Sequence, residues 1–520
     1  MTGEQPVRIC VPVCESDAHD LAKAVARAAE VADIIELRLD CLAETELQST
    51  ISKISASLPN RTCALIFTYR PAEQGGHRPL SLPERLSFVA RFHESGTRTA
   101  DYLDIESDLA MRLLEKMDET AARIDWTSVI CSHHDFDVVP ADLTEIYERM
   151  AVTPARILKI AVQASDVTDC LPIFNLLTRA RHERRELIAI AMGTAGLATR
   201  ILGPSRGSFL TYGALEEELA TAPGQVTAVA MRDLYRLNTI DRQTKITGLV
   251  GFPVAHSVSP VIHNAAFEAT GVNAVYMPFP VRDLAAFLRR MVHPITREID
   301  WNIRGLSITT PHKAEVMNYL DWIEPRAREI GAVNTVVVEA DSLHGYNTDA
   351  SAFVLTLRQS FGQLRDARCA LIGSGGAAAA ALWGLKREGA QVTVFARDRQ
   401  QGQTLAERFG AEWKPLGSAQ FAEFDLVINA TTLGMSGSRE SKTPATAAQL
   451  RGARLAYDLV YNPIETKFLS EARAAGCQEL GGLPMLVAQA VDQFELWTGV
   501  AAPYEVMMEA ARQGLLAERK

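Results

Sequence analysis

Lys159 lies in the apolar run Arg156–Val162, and a lysine there has two possible uses. It can pair internally with a carboxylate; Glu36, Asp104 and Glu106 sit in similar β-rich runs earlier in the chain. Alternatively, desolvation can lower its pKa and free a neutral amine to act as a nucleophile. His134 closes the preceding β-rich run, in Cys131-Ser-His-His-Asp-Phe136, and tilts the balance toward a general acid/base beside a nucleophilic lysine. The rival use of His133 and His134 is a metal site. Adjacent residues on a regular strand point to opposite faces, so these two do not chelate one ion together.

A second group of chemistry-bearing residues occupies the other half. Ser257 and Ser259, in Gly251-Phe-Pro-Val-Ala-His-Ser-Val-Ser-Pro260, can donate hydroxyl bonds to an anion beside helix N–H groups. The plainer reading makes Ser259 an N-cap followed by Pro260 at the first helical position. Lys313 ends the turn Ser307-Ile-Thr-Thr-Pro-His-Lys313, just inside an expected helix. A cation at a helix start is unfavourable, so a local anion is expected, and Asp349 in Asn347-Thr-Asp349 can supply it. Cys369-Ala-Leu-Ile-Gly373-Ser-Gly-Gly376-Ala-Ala378 reads as a strand, a Gly-x-Gly-x-x-Ala turn and an Ala-rich helix. That context is the one a dinucleotide fingerprint needs, and the next strand follows at Gln391–Phe395.

The elements that must position these residues fall into two halves. β-rich runs at 8–13, 33–40, 64–70, 102–106, 128–134, 156–162, 187–192 and 209–215 alternate with helix-like stretches such as 20–32 and 166–181. Eight such units in about 240 residues fit a (β/α)8 barrel. Side chains alternate faces along a strand. Ile35, Leu37 and Leu39 therefore share the helix-facing side, while Glu36, Arg38 and Asp40 point inward or over the mouth. Lys159 likewise faces inward with Ile157 and Ala161. The pattern changes after Asn238–Thr244, where the domain boundary is placed.

The chain has 520 residues and a net charge of −10, with 47% hydrophobic and 22% charged residues. That suits a soluble globular protein with large cores. It excludes a basic nucleic-acid binder, and it is a poor composition for an anionic membrane surface. The uncharged stretch Cys369–Leu385 is rich in Gly, Ser and Ala and broken by a turn, so it is not a membrane span. Eight cysteines form no CxxC pair, which points to buried, reduced thiols in a cytosolic protein. No signal or transit peptide is legible before the first strand.

Residues 7–240 resemble type I 3-dehydroquinate dehydratase. The motifs are Glu36-Leu-Arg-Leu-Asp40, Phe67-Thr-Tyr-Arg70, Ser132-His-His-Asp-Phe136, Lys159-Ile-Ala161, Thr199-Arg200 and Ala222-Pro-Gly-Gln225. The resemblance implies that Lys159 forms a Schiff base with the substrate ketone and that His134 moves the protons. It also implies that Arg200 and Gln225 hold a carboxylate, that Glu36, Arg38 and Arg70 hold ring hydroxyls, and that Thr221 lines the same site. The family usually has Arg-x-x-x-Glu-Gly-Gly where this chain has Arg70-Pro-Ala-Glu-Gln74-Gly-Gly76. Gln74 can still bond a hydroxyl but brings no charge.

Residues 246–515 resemble shikimate dehydrogenase, through Ser257-Val-Ser-Pro260, Thr309-Thr-Pro-His-Lys313, Gly331-Ala-Val-Asn334, Asn347-Thr-Asp349, Gly373-Ser-Gly-Gly376, Asn429-Ala-Thr431, Tyr461-Asn-Pro463 and Gly482-Leu-Pro-Met-Leu-Val-Ala-Gln489. The resemblance implies a catalytic pair, Lys313 and Asp349. It implies a substrate site lined by Ser257, Ser259, Thr309, Asn334, Tyr461 and Gln489. It also implies NADP contacts from Gly373, Gly375, Gly376, Ala377, Arg397, Asn429, Thr431 and Gly482. Ala396-Arg-Asp398 departs from the usual Asn-Arg-Thr there.

The expected architecture is α/β: an amino-terminal (β/α)8 barrel (1–240), then a two-lobed dehydrogenase. Its substrate lobe (245–347) is completed by 482–520, and its Rossmann NADP-binding lobe is 348–481. The two resemblances imply consecutive steps. The barrel dehydrates 3-dehydroquinate, and the second half reduces the resulting ketone, 3-dehydroshikimate, to shikimate. A quinate-oxidising, NAD-using second half and a non-catalytic sensor are the alternatives. The implied partners are small-molecule substrates, with neither nucleic acid nor membrane, in a bacterial cytoplasm.

Overall fold

The structure is a computed structural model and describes residues 6–57, 63–94, 100–116, 124–255 and 257–517; Met1–Gln5, at the expected start of the chain, lie outside these. The chain forms two compact units. One comprises residues 1–244, 279–291 and 297–302; the other comprises 245–278, 292–296 and 303–520.

In the first unit, eight parallel strands follow the order β7-β6-β5-β4-β3-β2-β1-β8. They are β1 (Ile9–Val13), β2 (Ile34–Arg38), β3 (Ala64–Thr68), β4 (Tyr102–Glu106), β5 (Val129–Asp135), β6 (Ile157–Gln163), β7 (Glu186–Met192) and β8 (Thr211–Tyr212). A single bridge from Leu187 to Ser208 and a Phe209 N–H bond to the Leu187 carbonyl bring the sheet round toward closure. β8 is only two residues long, against an expected seven, because the chain turns away after Tyr212 into the loop that carries Gln225. Helices such as Ala18–Ala28, capped by the Asp17 carboxylate, separate the strands.

The barrel interior changes character along its axis. Ile34, Ile66, Ile130, Ile157 and Ile188 form an apolar plug. Two residues further along their strands, the same inward parity carries Glu36, Thr68, Ser132 and Lys159. The plug excludes water from one side, so the charged layer opens only toward the carboxyl ends of the strands, where barrels place their loops.

The second unit contains two sheets. The first is mixed, in the order β10-β9-β11-β13-β14-β12, with β9 (Lys245–Gly251), β10 (Ala274–Pro280), β11 (Ile303–Ile308), β12 (Trp322–Ile323), β13 (Thr335–Val338) and β14 (Leu343–Tyr346). Helices Ser259–Thr270, Leu483–Thr498 and Tyr504–Ala517 share its core, through Phe267, Phe494, Trp497 and Met507.

The other sheet is wholly parallel, in the order β17-β16-β15-β18-β19-β20. It is built from β15 (Arg368–Ile372), β16 (Gln391–Ala396), β17 (Glu412–Pro415), β18 (Leu426–Asn429), β19 (Leu455–Asp458) and β20 (Gln478–Leu480). This is the doubly wound dinucleotide-binding order, with its switch point between β15 and β18. No described helix is long and apolar enough to cross a membrane.

Phe494 is fully buried, with its ring centroid 5.4 Å from that of Phe267. Phe494→Ala should cost about 3–5 kcal/mol through the cavity it leaves. Urea unfolding of variant and parent checks this, and an unchanged midpoint would mean that the core collapses around the gap.

Candidate active sites

In the first unit, one cavity is lined by Glu36, Arg38, Arg70, His134, Lys159, Arg200, Thr221 and Gln225, so every candidate of the barrel half meets there. Lys159 is 3% exposed. Its Nζ lies 3.1 Å from Asp104 Oδ2, 3.6 Å from Glu36 Oε2 and 4.5 Å from the centre of the Tyr212 ring. The acids are held in turn. Asp104 accepts from Arg70 at 2.8 Å and from the Ser132 hydroxyl at 2.6 Å. Glu36 accepts from the Thr68 hydroxyl at 2.6 Å. Register explains the convergence, because Ser132 pairs with Lys159 and Thr68 with Asp104.

Charge around the lysine sets the protonation of its neighbours. Burial pushes the His134 imidazole well below its ordinary value, and the charges of Arg70, Lys159 and Arg38 push the same way. His134 is therefore a neutral base near pH 7. Its Nδ1 is buried without a partner. Burial alone would raise the Asp104 carboxyl, but Arg70, Lys159 and the Ser132 bond outweigh it and hold the group at about 2. Burial raises Glu106 to about 7 against the pull of Arg70 and Arg85.

Arg200 is a different case. It is 1% exposed and donates only to the Tyr212 and Pro223 carbonyls, at 3.4 and 3.3 Å. Among the described residues no carboxylate pairs with it, and burial lowers its pKa to about 10. A buried, uncompensated guanidinium facing a cavity is a receptor for an anion. Gln225 uses its side-chain carbonyl to accept from the Thr221 N–H at 2.9 Å, which leaves its amide NH2 for a ligand. Gln74 does not line this cavity. Its amide nitrogen turns to Asp108, 3.3 Å away.

The second unit has its own cavity, lined by Ser257, Ser259, Ser307, Thr309, Lys313, Asn334, Asp349, Ala377, Tyr461, Gly482, Gln489 and Gln493, among others. Lys313 Nζ lies 2.6 Å from Asp349 Oδ2. Asn334 Nδ2 donates to Asp349 Oδ1 at 2.8 Å, and Asn334 Oδ1 accepts from the Thr348 N–H at 2.8 Å. The carboxylate is thus fixed on both oxygens.

Two local expectations are corrected. Lys313 lies in a turn that leads into the short 3-10 helix Glu315–Tyr319, not inside an α-helix; one α-type bond forms there, from the Val316 N–H to the His312 carbonyl, and it is not continued into a helix. Ser259 is the first residue of its helix rather than its N-cap; Val258 takes the cap position. The Ser257 hydroxyl accepts from the Ser259 N–H at 3.2 Å and donates to the Ser259 hydroxyl at 3.1 Å.

At the carboxyl end of β15, Gly373 has φ 127°, and a Cβ there would meet the Ala430 carbonyl oxygen at 2.8 Å, so only glycine fits. A Cβ on Gly375 would meet nothing within 4 Å, which leaves the start of helix Gly376–Arg387 open. Asn429 is spent internally. It donates to Asp458 and to the Leu433 carbonyl and accepts from Thr431, so Asn429 and Thr431 shape the loop after β18 and do not line the cavity. Arg397 is exposed just past β16. Asp398 N-caps helix Arg399–Arg408 by accepting from the Gln401 N–H at 2.9 Å.

Comparison with known proteins matches residues 9–242 to the model of type I 3-dehydroquinase. The shikimate dehydrogenase substrate binding domain matches residues 249–336, shikimate/quinate 5-dehydrogenase 356–459, and the shikimate 5'-dehydrogenase C-terminal domain 482–512. A chloroplastic bifunctional 3-dehydroquinate dehydratase/shikimate dehydrogenase of Arabidopsis thaliana is 32% identical, over 97% of this chain and 84% of its own. The chain belongs to this bifunctional family. Its dehydrogenase half also matches a shikimate dehydrogenase (NADP(+)) of Oleidesulfovibrio alaskensis, 43% identical over 50% of this chain and 92% of that one. One from Moorella thermoacetica is 40% identical, over 53% and 95%.

Reading residues singly missed several that shape the two sites. In the dehydratase half, Ser132 shares the parity of His134 and was readable from it, whereas Tyr212, on a two-residue strand, offers no period. In the dehydrogenase half, Ser307 accepts from the Tyr276 hydroxyl at 2.9 Å and donates to Gln493 at 2.8 Å. Gln493 lies one turn beyond Gln489 on the same helix face, and that spacing was the available signal.

The cysteine expectation is met by six buried free thiols and fails for two. Cys14 and Cys41 form a disulfide, because they follow the adjacent strands β1 and β2.

Asp104 carries the clearest pH signature. Its folded pKa lies below the ordinary carboxyl value, so its stabilisation is present above about pH 4 and is lost as pH falls toward about 2. Asp104→Asn should flatten that loss relative to the parent, as read from urea midpoints across this range. Parallel profiles would place the acid sensitivity elsewhere.

Proposed function

We propose that the barrel dehydrates 3-dehydroquinate through an imine on Lys159 and that the second unit reduces the product, 3-dehydroshikimate, to shikimate with NADPH. The observation that carries the first step is a buried lysine and an uncompensated Arg200 lining one cavity. The guanidinium takes the substrate carboxylate, and this sets the ring ketone against Lys159. Before attack the ammonium must shed a proton, and neutral His134 lines the same cavity. The amine adds to the carbonyl carbon and water leaves, giving a protonated imine. That imine is a stronger electron sink than the ketone and acidifies the adjacent C–H. His134 takes that proton, then returns one to the departing hydroxyl as the double bond forms. Hydrolysis frees Lys159. Glu36, Arg38 and Arg70 are positioned to hold ring hydroxyls.

The second unit fits a dinucleotide. The open helix start beyond Gly375 suits a pyrophosphate, and Arg397 suits a ribose 2′-phosphate, with Gly373, Gly376, Ala377 and Gly482 lining the approach. When bound, NADPH supplies the hydride. Lys313 gives the proton that the carbonyl oxygen needs as it becomes a hydroxyl. Asp349 aims the ammonium, and Asn334 holds Asp349. Ser257, Ser259, Thr309, Tyr461 and Gln489 complete the substrate site. The committed Asp398 cap speaks against an NAD-dependent quinate enzyme. The working division is 1–240 for the dehydratase, 245–347 with 482–520 for the substrate lobe, and 348–481 for the NADP lobe. The cytoplasm is the proposed location.

Lys159→Ala should reduce dehydration to background while added 3-dehydroshikimate is still reduced. Borohydride with 3-dehydroquinate should trap an adduct on Lys159 alone. An adduct on any other lysine would overturn the imine assignment.

Arg397→Ala should raise the KM for NADPH roughly tenfold to a hundredfold, the scale of losing a charge-assisted contact, with little change for NADH. Equal efficiency with both cofactors in the parent would instead assign Asp398 to the ribose.

A further inference from the structure

At the rim of the barrel, a third donor stands beside the cysteine pair. One ligand atom each from Cys14, Cys41 and His77 lies within 4.8 Å of the other two. Three separate pieces of chain supply them. Cys14 follows β1 directly. Cys41 ends the 3-10 turn Leu39–Cys41 after β2, and Val13 pairs with Leu37 in register, so the two exits are neighbours. His77 comes from the loop after β3.

That loop is pinned independently of the sulfurs. The Arg38 guanidinium donates to the Gly75 carbonyl at 2.9 Å and to both Asp40 oxygens, at 3.0 and 2.9 Å. The same Asp40 accepts the His77 N–H at 3.0 Å. His77 is exposed and both cysteines are half-buried, so the cluster is reachable from solvent. The other six cysteines are buried singly within the fold.

Two thiolates and an imidazole are the donor set of a soft divalent cation, with zinc the foremost example. We propose that the dithiol form of Cys14 and Cys41, together with His77, binds one such ion, and that the disulfide is the alternative, metal-free state of the same site. With Zn–S bonds of about 2.3 Å in tetrahedral geometry, the sulfurs would stand roughly 3.8 Å apart. A disulfide offers no thiolate, so the two states exclude each other. On binding, each thiol releases its proton to solvent, the neutral imidazole donates a lone pair, and water takes the fourth position. Converting the disulfide to this form requires a two-electron reductant, a dithiol or a phosphine, which is oxidised as the S–S bond breaks and each sulfur gains a proton. The ion would tie the β3 loop to the exits of β1 and β2, beside Arg38.

The test is cobalt(II) titration of the full-length protein after reduction with a phosphine and its removal under nitrogen. One equivalent should bind and produce a thiolate-to-cobalt charge-transfer band that added zinc abolishes. The band should be lost in the Cys14→Ser, Cys41→Ser double variant. His77→Ala, at an exposed position that leaves the fold intact, should keep the band and weaken binding at least ~10-fold. Diamide-oxidised parent should not bind. No band in the reduced parent, or a band that survives in the double serine variant, would overturn the proposal.

Discussion

Moving an ammonium from water into a closed barrel costs several kcal/mol unless fixed anions meet it. In the first unit Asp104 and Glu36 meet Lys159 from two other strands. Much else in the barrel follows from that requirement. Two acids side by side would repel each other, so Arg70 stands against Asp104, while Ser132 and Thr68 occupy the remaining lone pairs. The apolar plug beneath keeps water from screening these charges. Burial, helped by the charges of Arg70 and Lys159, holds the His134 imidazole well below its ordinary value. One buried cation thus accounts for the acids and, through them, the guanidinium, and it adds to the burial that keeps His134 neutral.

The dehydrogenase pair is arranged more openly. The Lys313 side chain is 24% exposed and Asp349 10%, so the pair keeps contact with water. Precision comes from Asn334, which grips Asp349 with its amide nitrogen and the backbone of Thr348 with its oxygen. Dehydration returns its protons within one closed cycle. Reduction consumes a proton at each turnover, and on the proposed role of Lys313 a pair close to solvent can be recharged.

What could be read from the chain alone divides along physical lines. Strand parity is a local property, so the inward faces of Glu36 and Lys159 were legible within runs of seven or eight residues. The Rossmann turn was legible because glycine, strand and helix occur in one short window. Contacts made by tertiary packing were not. The spacing of Lys313 and Asp349, 36 residues apart, does not say that they touch; the pairing was expected only from the need for an anion at Lys313 and from the family resemblance, and the helix expected around Lys313 is a turn. Cys14 and Cys41, 27 residues apart, look unrelated until two parallel strands bring their ends together. The capping duty of Asp398 was readable in principle, since an acid just before a helical stretch is a common start signal.

That duty bears on how the protein can change over generations. Asp398 stands where an acid could reach a ribose, yet the first turn of its helix already claims its carboxylate. A lineage drifting toward the other nicotinamide cofactor cannot simply redirect it, because the helix would fray. On the proposed role of Arg397, removing it alone would weaken the old cofactor without strengthening the new one. At least two coordinated substitutions would then be needed, and each intermediate would be a poorer enzyme. Cofactor choice is therefore guarded by a valley between fitness peaks, and local folding helps to dig it.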